Sequence, residues 1–152
     1  MTADNGYQAM ITQHSWMFLS SFEKLREKMM LTETVNMAHL GARAFEEIGG
    51  EVVQTTAFVR CANHVDGYKG TYCRLIEPTS QQGKEDMFLA GQNRYVANQD
   101  DFEKIPGMAV AYWASHNILS KFQEKQIGDV ALLCQGLTTT NNEKYVRQWT
   151  EL

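Results

Sequence analysis

The aromatic ring of Phe45 is the first feature of this sequence that could do chemistry. Phe45 lies beside Glu46 and Glu47 and shortly before the pair Gly49-Gly50, in a predicted loop from which a ring could project over the edge of a sheet. Enzymes that act on a nucleobase take the base out of its stack and hold it against such a ring. A phenylalanine that fills a core or anchors a loop gives the same pattern, so both interpretations stay open.

A polar segment near the C-terminal end offers a second kind of chemistry. The run 138–142 (TTTNN) is followed by Lys144, Tyr145 and Arg147, which together supply hydroxyl, amide and cationic groups. Groups of this kind bind the phosphates and base edges of nucleic acids. The alternative is an ordinary polar hairpin loop.

Metal and nucleophilic chemistry are not expected. The sequence contains no GxGxxG, GxxxxGKS, GxxxxGKT, HExxH or GxSxG pattern. None of the four histidines has a second ligand-type residue at helical spacing, so we expect no metal site. The acidic pairs 46–47 and 100–101 are typical of solvated surface, although a carboxylate enclosed by a pocket could act as a general base. The histidines are His14, His39, His64 and His116.

The composition excludes several classes of protein. A chain of 152 residues that is 43% apolar can bury the core of one ordinary domain. The net charge of −4, from 14 Lys and Arg against 18 Asp and Glu, lacks the positive excess of a free-standing duplex-DNA binder. The three cysteines form no CxxC pair, which excludes a zinc ribbon and a disulfide framework. No apolar run approaches the roughly 18 residues of a membrane span, and the polar start is not a signal peptide. We therefore expect a cytoplasmic protein with no membrane partner.

The first half of the chain has an α/β pattern. Its apolar spacing predicts one helix over 20–30, with Phe22, Leu25 and Met29 on the buried face. Runs that mix β-branched and apolar residues predict four strands, the last of which is stopped by Pro78. The predicted strands cover 7–16, 34–40, 52–61 and 68–77.

The second half of the chain has a weaker pattern. Residues 79–126 alternate short apolar and polar pieces without a lasting period, which predicts an extended connector with a helical turn near 86–90 and helical character over 110–122. Residues 127–152 open a new unit with a strand-like run over 130–134.

Five segments, taken in order, resemble a known family. They are GYQAMITQHSWMFLSSFEKLREKM, VNMAHLGARAFEEIGGEVVQTTAFV, YKGTYCRL, RYVANQDDFEKIPGMAVAYWAS and IGDVALLCQGLTTTNNEKYVRQW. Together they are similar to the adenine-specific DNA methyltransferases of bacterial BREX-type phage defence, relatives of type IIG restriction-modification enzymes. The resemblance covers nearly the whole chain.

The resemblance implies a fold and a division into domains. The fold class is α/β, with a partial Rossmann-like methyltransferase sheet that holds the family's fifth, sixth and seventh strands and in which the third strand of this chain runs antiparallel to its neighbours. Residues 1–78 would be the C-terminal part of the catalytic domain, residues 79–126 a connector, and residues 127–152 the beginning of a target-recognition domain.

The family's cofactor-binding segments are missing from this sequence. The family binds S-adenosylmethionine through a glycine-bearing loop and holds the target adenine with an Asn-Pro-Pro-Tyr motif, and neither occurs here. The chain would start just after that motif and stop inside the recognition domain. We therefore expect a fragment of a DNA N6-adenine methyltransferase that is inactive alone and binds no S-adenosylmethionine by itself.

The resemblance also assigns site residues. Phe45 matches the position whose ring stacks on the extruded adenine. The residues at the carboxyl end of the first strand match a substrate pocket, and residues of the recognition domain match DNA contacts. The strand-end residues are Gln13, His14, Ser15 and Trp16, and the DNA-contacting residues are Gly136, Thr139, Asn141 and Arg147.

The expected partners follow from this assignment. Double-stranded DNA would be bound through the parent protein, the remainder of the methyltransferase chain would contact this fragment, and the isolated fragment would self-associate through an unpaired strand edge and exposed apolar surface. The alternative is a stand-alone, non-catalytic α/β interaction module.

Overall fold

A five-stranded mixed sheet forms the centre of the structure, which is a computed structural model describing residues 2–45, 53–132 and 134. The order of the strands across the sheet is β1-β3-β2-β4-β5. The strands are β1 (Tyr7–Gln13), β2 (Glu33–Gly41), β3 (Thr55–Cys61), β4 (Lys69–Arg74) and β5 (Arg94–Asn98). The predicted α/β class is therefore confirmed.

Strand β3 lies between β1 and β2 and is antiparallel to both, as predicted. Since β4 pairs in parallel with β2, strands β1, β2 and β4 all run in the same direction. Strand β5 pairs with β4 in the opposite direction. The carboxyl ends of β1, β2 and β4 consequently meet at one edge of the sheet.

The predicted helix over 20–30 is confirmed as a 3₁₀ turn followed by α1 (Glu23–Met29). Its buried face differs from the prediction, because Leu25 is 42% exposed whereas Arg26 is 2% exposed. Met29 packs against the core as expected. The apolar spacing located the helix but did not show that a cation would be its most buried residue.

The hydrophobic core covers one face of the sheet. The rings of Tyr72 and Tyr112 stack in parallel with their centroids 4.9 Å apart, and Phe102 meets Tyr72 edge-on. The core consists of Trp16, Met17, Met37, Phe58, Tyr72, Phe102, Val110 and Tyr112.

The extended connector predicted over 79–126 is not confirmed. This segment forms α2 (Gln81–Leu89), strand β5 and α3 (His116–Lys121), and it supplies Phe102, Val110 and Tyr112 to the core. Ser80 caps the start of helix α2, because its hydroxyl accepts a hydrogen bond from the Gly83 amide.

Two other predicted elements of the second half differ in the structure. The helical character predicted over 110–122 is limited to α3, because 110–115 follow an irregular path into the core. The strand predicted over 130–134 is absent from its described residues, where Leu132 is 91% exposed and follows a 3₁₀ turn over Ile127–Asp129. The division of the chain into domains stays a prediction.

Arg26 ties the segment after β1 to a distant turn. Its Nη1 donates to the carbonyl oxygens of Trp16 and Leu19 at 2.7 and 2.8 Å, and its Nε donates to the carbonyl of Gly107 at 2.7 Å. The backbone of Gly107 has a φ of 69°, in the left-handed region that favours glycine. One buried guanidinium therefore satisfies three backbone acceptors.

Replacing Arg26 with methionine should lower the free energy of unfolding by about 3 kcal/mol, because three carbonyls would lose their donor inside the protein. The control is Lys24→Met at an exposed position of the same helix, which should change stability by less than about 0.5 kcal/mol. Urea denaturation of the two variants measures the difference, and equal losses would contradict the assigned role.

Candidate functional site at the carboxyl edge of the sheet

The carboxyl edge of the sheet is where β1 ends at Gln13, β2 at Gly41 and β4 at Arg74. In open α/β sheets, ligands bind outside the carboxyl ends of the strands. Six side chains that follow or end these strands, or that pack against them, form what we call the carboxyl-edge cluster. Its members are His14, Phe18, His39, Arg74, Tyr112 and Trp113.

A chain of hydrogen bonds joins three members of the cluster. His14 Nδ1 lies 2.7 Å from His39 Nε2, and His39 Nδ1 lies 3.1 Å from the hydroxyl of Tyr112. His14 follows β1 directly, and its backbone amide donates to the carbonyl of Gln54 at 2.9 Å. The carbonyl of His39 accepts from the amide of Leu75 at 2.9 Å. Both histidine backbones are thus anchored to neighbouring chain segments.

The environment keeps the two imidazoles uncharged. His39 is 4% exposed, and its burial lowers the pKa to about 4, with further lowering from the nearby His14, Arg74 and Lys84. Burial also lowers the pKa of His14. Burial raises the pKa of Tyr112, which therefore keeps its hydroxyl proton. At neutral pH the chain of three groups carries no charge.

Aromatic and cationic groups extend the cluster towards solvent. Phe18 and Trp113 are each 37% exposed, and their ring centroids are 5.9 Å apart. The Phe18 ring also meets His14 edge-on at 5.6 Å. The guanidinium of Arg74 lies 5.2 Å from the centroid of the Trp113 ring, a cation–π geometry. This surface is suited to a flat, uncharged ring.

Lys84 holds the ends of two strands together behind the cluster. It is 4% exposed, and its Nζ donates to the carbonyls of Leu40 and Leu75 at 2.7 and 2.6 Å. Burial lowers its pKa, while Glu77 acts in the opposite direction. Together with Arg74, Lys84 gives positive charge to this edge of a chain whose net charge is −4.

The structure separates the four strand-end residues predicted from the sequence. Gln13 is exposed at the end of β1, His14 joins the cluster, and Ser15 is half-buried with its carbonyl accepting from the amide of Phe18. Trp16 is turned into the core, where its ring meets Phe58 edge-on at 5.5 Å. The structure therefore places His14 in the cluster and Trp16 in the core instead of at the open edge.

Phe45 lies four residues beyond the end of β2 at Gly41. Its side chain is 41% exposed, in contrast to the 7% of the core residue Phe58. A ring with this exposure is available to a ligand. The neighbouring residues 46–52 lie outside the described residues, as do Gly136, Thr139, Asn141 and Arg147.

Of the six cluster members, the sequence analysis predicted only His14 as a site residue. It missed Phe18, His39, Arg74, Tyr112 and Trp113, and also Lys84 behind them. His39 has a readable signal, since it alternates with the buried Met37 on one face of a strand and is therefore an inward-facing histidine near a strand end. Tyr112 and Lys84 have no such signal, because their contacts with β2 and β4 join segments far apart in the chain.

The described residues contain neither a candidate metal site nor a membrane-spanning helix. In residues 2–45, 53–132 and 134, no three His, Cys, Asp or Glu side chains are grouped so that they could hold a metal ion. Within the same part of the chain, no helix is both long and apolar enough to span a membrane.

The burial of neutral His39 predicts acid sensitivity. The pKa of His39 is about 4 in the folded chain and about 6.5 in the unfolded chain. Between these two pH values the unfolded chain therefore binds more protons than the folded chain. The free energy of unfolding consequently falls as the pH is lowered from about 6.5 to about 4. The difference between the two pKa values corresponds to a loss of about 3 kcal/mol in the free energy of unfolding. His39→Gln should remove this part of the pH dependence, whereas His116→Asn, at an exposed position, should not. Denaturation at pH 7 and pH 5 tests this, and identical slopes for wild type and His39→Gln would contradict it.

The chain is similar in sequence to two curated methyltransferases. No family model matches the chain. The adenine-specific methyltransferase PglX of Lacticaseibacillus casei (strain Zhang) is 49% identical over 160 residues, which cover 100% of this chain and 13% of that protein. The adenine-specific methyltransferase BrxX of Escherichia coli O9:H4 (strain HS) is 40% identical over 152 residues, which cover 98% of this chain and 12% of that protein. The chain spans about an eighth of the length of these curated relatives. The resemblance inferred from the sequence is therefore confirmed: 98–100% of this chain aligns with a segment of each of these two adenine-specific methyltransferases.

Proposed function

We propose that this chain is the C-terminal part of the catalytic domain of a DNA N6-adenine methyltransferase and that its carboxyl edge faces the extruded adenine. The observation that carries the proposal is the carboxyl-edge cluster, where uncharged imidazoles and exposed rings lie at the ends of three parallel strands. The parent would use S-adenosylmethionine, act in the cytoplasm and serve in phage defence or restriction-modification.

The sheet supports this assignment. In the family's partial Rossmann-like arrangement, a seventh strand runs antiparallel between the fifth and the sixth, and β3 has this position between β1 and β2. Strands β4 and β5 then extend the sheet beyond β2. In this assignment β1 is the strand next to the missing part of the catalytic domain.

The carboxyl edge fits a base better than it fits the methyl donor. A neutral histidine pair and two exposed rings can hold an uncharged heteroaromatic ring, whereas none of the six cluster side chains is an acid that could pair with the sulfonium of S-adenosylmethionine. The link between β1 and α1 contains no glycine, so it lacks the turn with which a backbone approaches a cofactor. We therefore assign the donor site to the rest of the parent chain.

Phe45 is proposed as the ring that stacks on the extruded adenine. Stacking of a base on an aromatic side chain contributes about 1–3 kcal/mol, and in this enzyme the contact would form only after the base has left the duplex. Its loss should therefore reduce turnover more than DNA affinity.

In the intact parent, Phe45→Ala should lower kcat by roughly 5- to 160-fold, which corresponds to the same 1–3 kcal/mol. It should leave thermal stability nearly unchanged because the ring is 41% exposed. The control is Phe58→Ala, whose 7% exposed ring should cost about 3–5 kcal/mol of stability. If Phe45→Ala destabilises the protein as Phe58→Ala does, Phe45 is a packing residue.

The recognition-domain residues Gly136, Thr139, Asn141 and Arg147 are proposed to contact DNA. Changing Arg147 to glutamine should weaken binding to all sequences and reduce the salt dependence of the affinity by about one phosphate contact. Such a contact exists already before the base is extruded, so kcat should change less than Kd.

S-adenosylmethionine should not bind to the isolated chain, because the glycine loop and the Asn-Pro-Pro-Tyr motif are absent from the sequence. Isothermal calorimetry with S-adenosylmethionine should show no stoichiometric heat. The intact parent, measured in the same buffer, serves as the positive control. A stoichiometric heat with the isolated chain would place at least part of the donor site within these 152 residues.

Self-association of the isolated chain follows from its uncovered sheet face. Opposite the core, small and apolar side chains of β1, β2, β3 and β4 line an open groove of about 680 Å³. Strand β1 ends the strand order and is not paired on its outer side within the described residues. The groove is lined by Ala9, Ile11, Ala38, Ala57, Val59 and Cys73, among others.

Sedimentation at tens of micromolar (on the order of ordinary assay concentrations) should show dimers or larger species of the isolated chain. Ile11→Lys should return it to a monomer, because Ile11 is 60% exposed on the open face. Ile127→Lys changes an equally exposed residue outside the sheet and should leave the association intact. A monomeric wild type would contradict the proposal.

A further inference from the structure

One hydrogen bond joins the two histidines at the carboxyl edge, and a single proton lies between their facing nitrogens. Since His14 Nδ1 and His39 Nε2 are 2.7 Å apart and both rings are neutral, one nitrogen donates and the other accepts. The protonation of the other two ring nitrogens follows from which of these two is the donor. If His39 Nε2 carries the proton, His14 carries its own on Nε2; if His14 Nδ1 carries it, His14 Nε2 is an acceptor.

Tyr112 decides between these two arrangements. The tyrosine is 3% exposed, and within the described residues its hydroxyl has no hydrogen-bond partner except His39 Nδ1. If His39 Nδ1 were the donor, the hydroxyl proton of Tyr112 would be buried without an acceptor, which is unfavourable. Tyr112 therefore donates to His39 Nδ1, His39 Nε2 donates to His14 Nδ1, and His14 Nε2 carries a proton.

His14 Nε2 is the free end of this chain of hydrogen bonds. Within the described residues it has no partner, and the ring of His14 is only half-buried at the open edge. The charged groups around the pair are Arg74 at the end of β4, Glu77 in the link that follows, and Lys84 in α2. Burial lowers the pKa of His14, and the two cations oppose protonation of its partner His39, so His14 offers an N–H without a charge.

We propose that Tyr112 and His39 are positioning residues that present His14 as an uncharged N–H donor to a ring nitrogen of the extruded adenine. This inference rests on the proposed function. An uncharged donor suits the unprotonated ring nitrogens of adenine, whereas a phosphate would favour a cation. Tyr112 and His39 then have a role in substrate recognition. This role explains why they are joined to His14 by hydrogen bonds, which packing in the core alone would not require.

The test uses the intact methyltransferase and oligonucleotides in which the target adenine is replaced by 1-deaza-, 3-deaza- or 7-deazaadenine. One of these should lower kcat/KM by about three- to tenfold in the wild type, the loss expected for one hydrogen bond. The variant His14→Leu should lose the same factor on adenine and nothing further on that analogue, because both changes remove one contact.

Tyr112→Phe tests the positioning role, because it keeps the ring and removes only the hydroxyl. It should lower kcat/KM about three- to tenfold and move the acid limb of the pH profile to higher pH, since the neutral form of His39 loses a donor. Tyr95→Phe is the control: Tyr95 meets Tyr112 edge-on at 5.6 Å, and its hydroxyl has no hydrogen bond within the described residues. It should change neither kcat/KM nor the pH profile.

The outcomes separate the two proposals. If the wild type does not methylate adenine, the proposed function and this inference both fail. If it does, independent losses for His14→Leu and every analogue overturn the donor role. A Tyr112→Phe variant with lower activity at every pH but an unmoved acid limb overturns the positioning role and returns Tyr112 to a packing function.

Discussion

The insertion of β3 between β1 and β2 is the constraint on which the site depends. Because β3 is antiparallel to both strands, β1 and β2 run in the same direction, and β4 joins β2 in parallel. Three carboxyl ends therefore lie at one edge, which brings His14 next to His39. At this edge β3 contributes its amino end, Thr55, which pairs with Gln13 of β1 on one side and with Gly41 of β2 on the other.

Buried cations stabilise the chain segments around this edge. Arg26 joins the segment after β1 to the turn at Gly107 through three backbone carbonyls, and Lys84 joins Leu40 of β2 to Leu75, which follows β4, through two. Neither cation has a carboxylate within hydrogen-bonding distance in the described residues, and Glu23 acts on Arg26 and Glu77 on Lys84 from farther away. The charge of Lys84 helps to keep His39 neutral. Structural support and the electrostatics of the site are therefore linked through Lys84.

The sequence predicted those parts of the structure whose causes are local. Strands β2, β3 and β4 have β-branched or apolar runs bounded by glycine and proline, and their ends were predicted to within a few residues. Strand β5 was missed, because five residues with exposed Arg94 and Val96 do not show a buried face. The contact between His39 and Tyr112 joins residues that are 73 positions apart, so no periodicity could reveal it. The resemblance to the methyltransferases pointed to the carboxyl end of β1, and the structure shows which side chains lie beside His14 there.

The central claim is that the carboxyl edge of this sheet faces the extruded adenine. The most direct measurement is the position of the target base in an experimental structure of the intact methyltransferase bound to a duplex that it methylates. We expect the base outside the duplex, with its ring against Phe45 and one ring nitrogen within hydrogen-bonding distance of His14 Nε2. A base bound away from this edge, for example on the open face lined by Ile11 and Val59, would contradict the account.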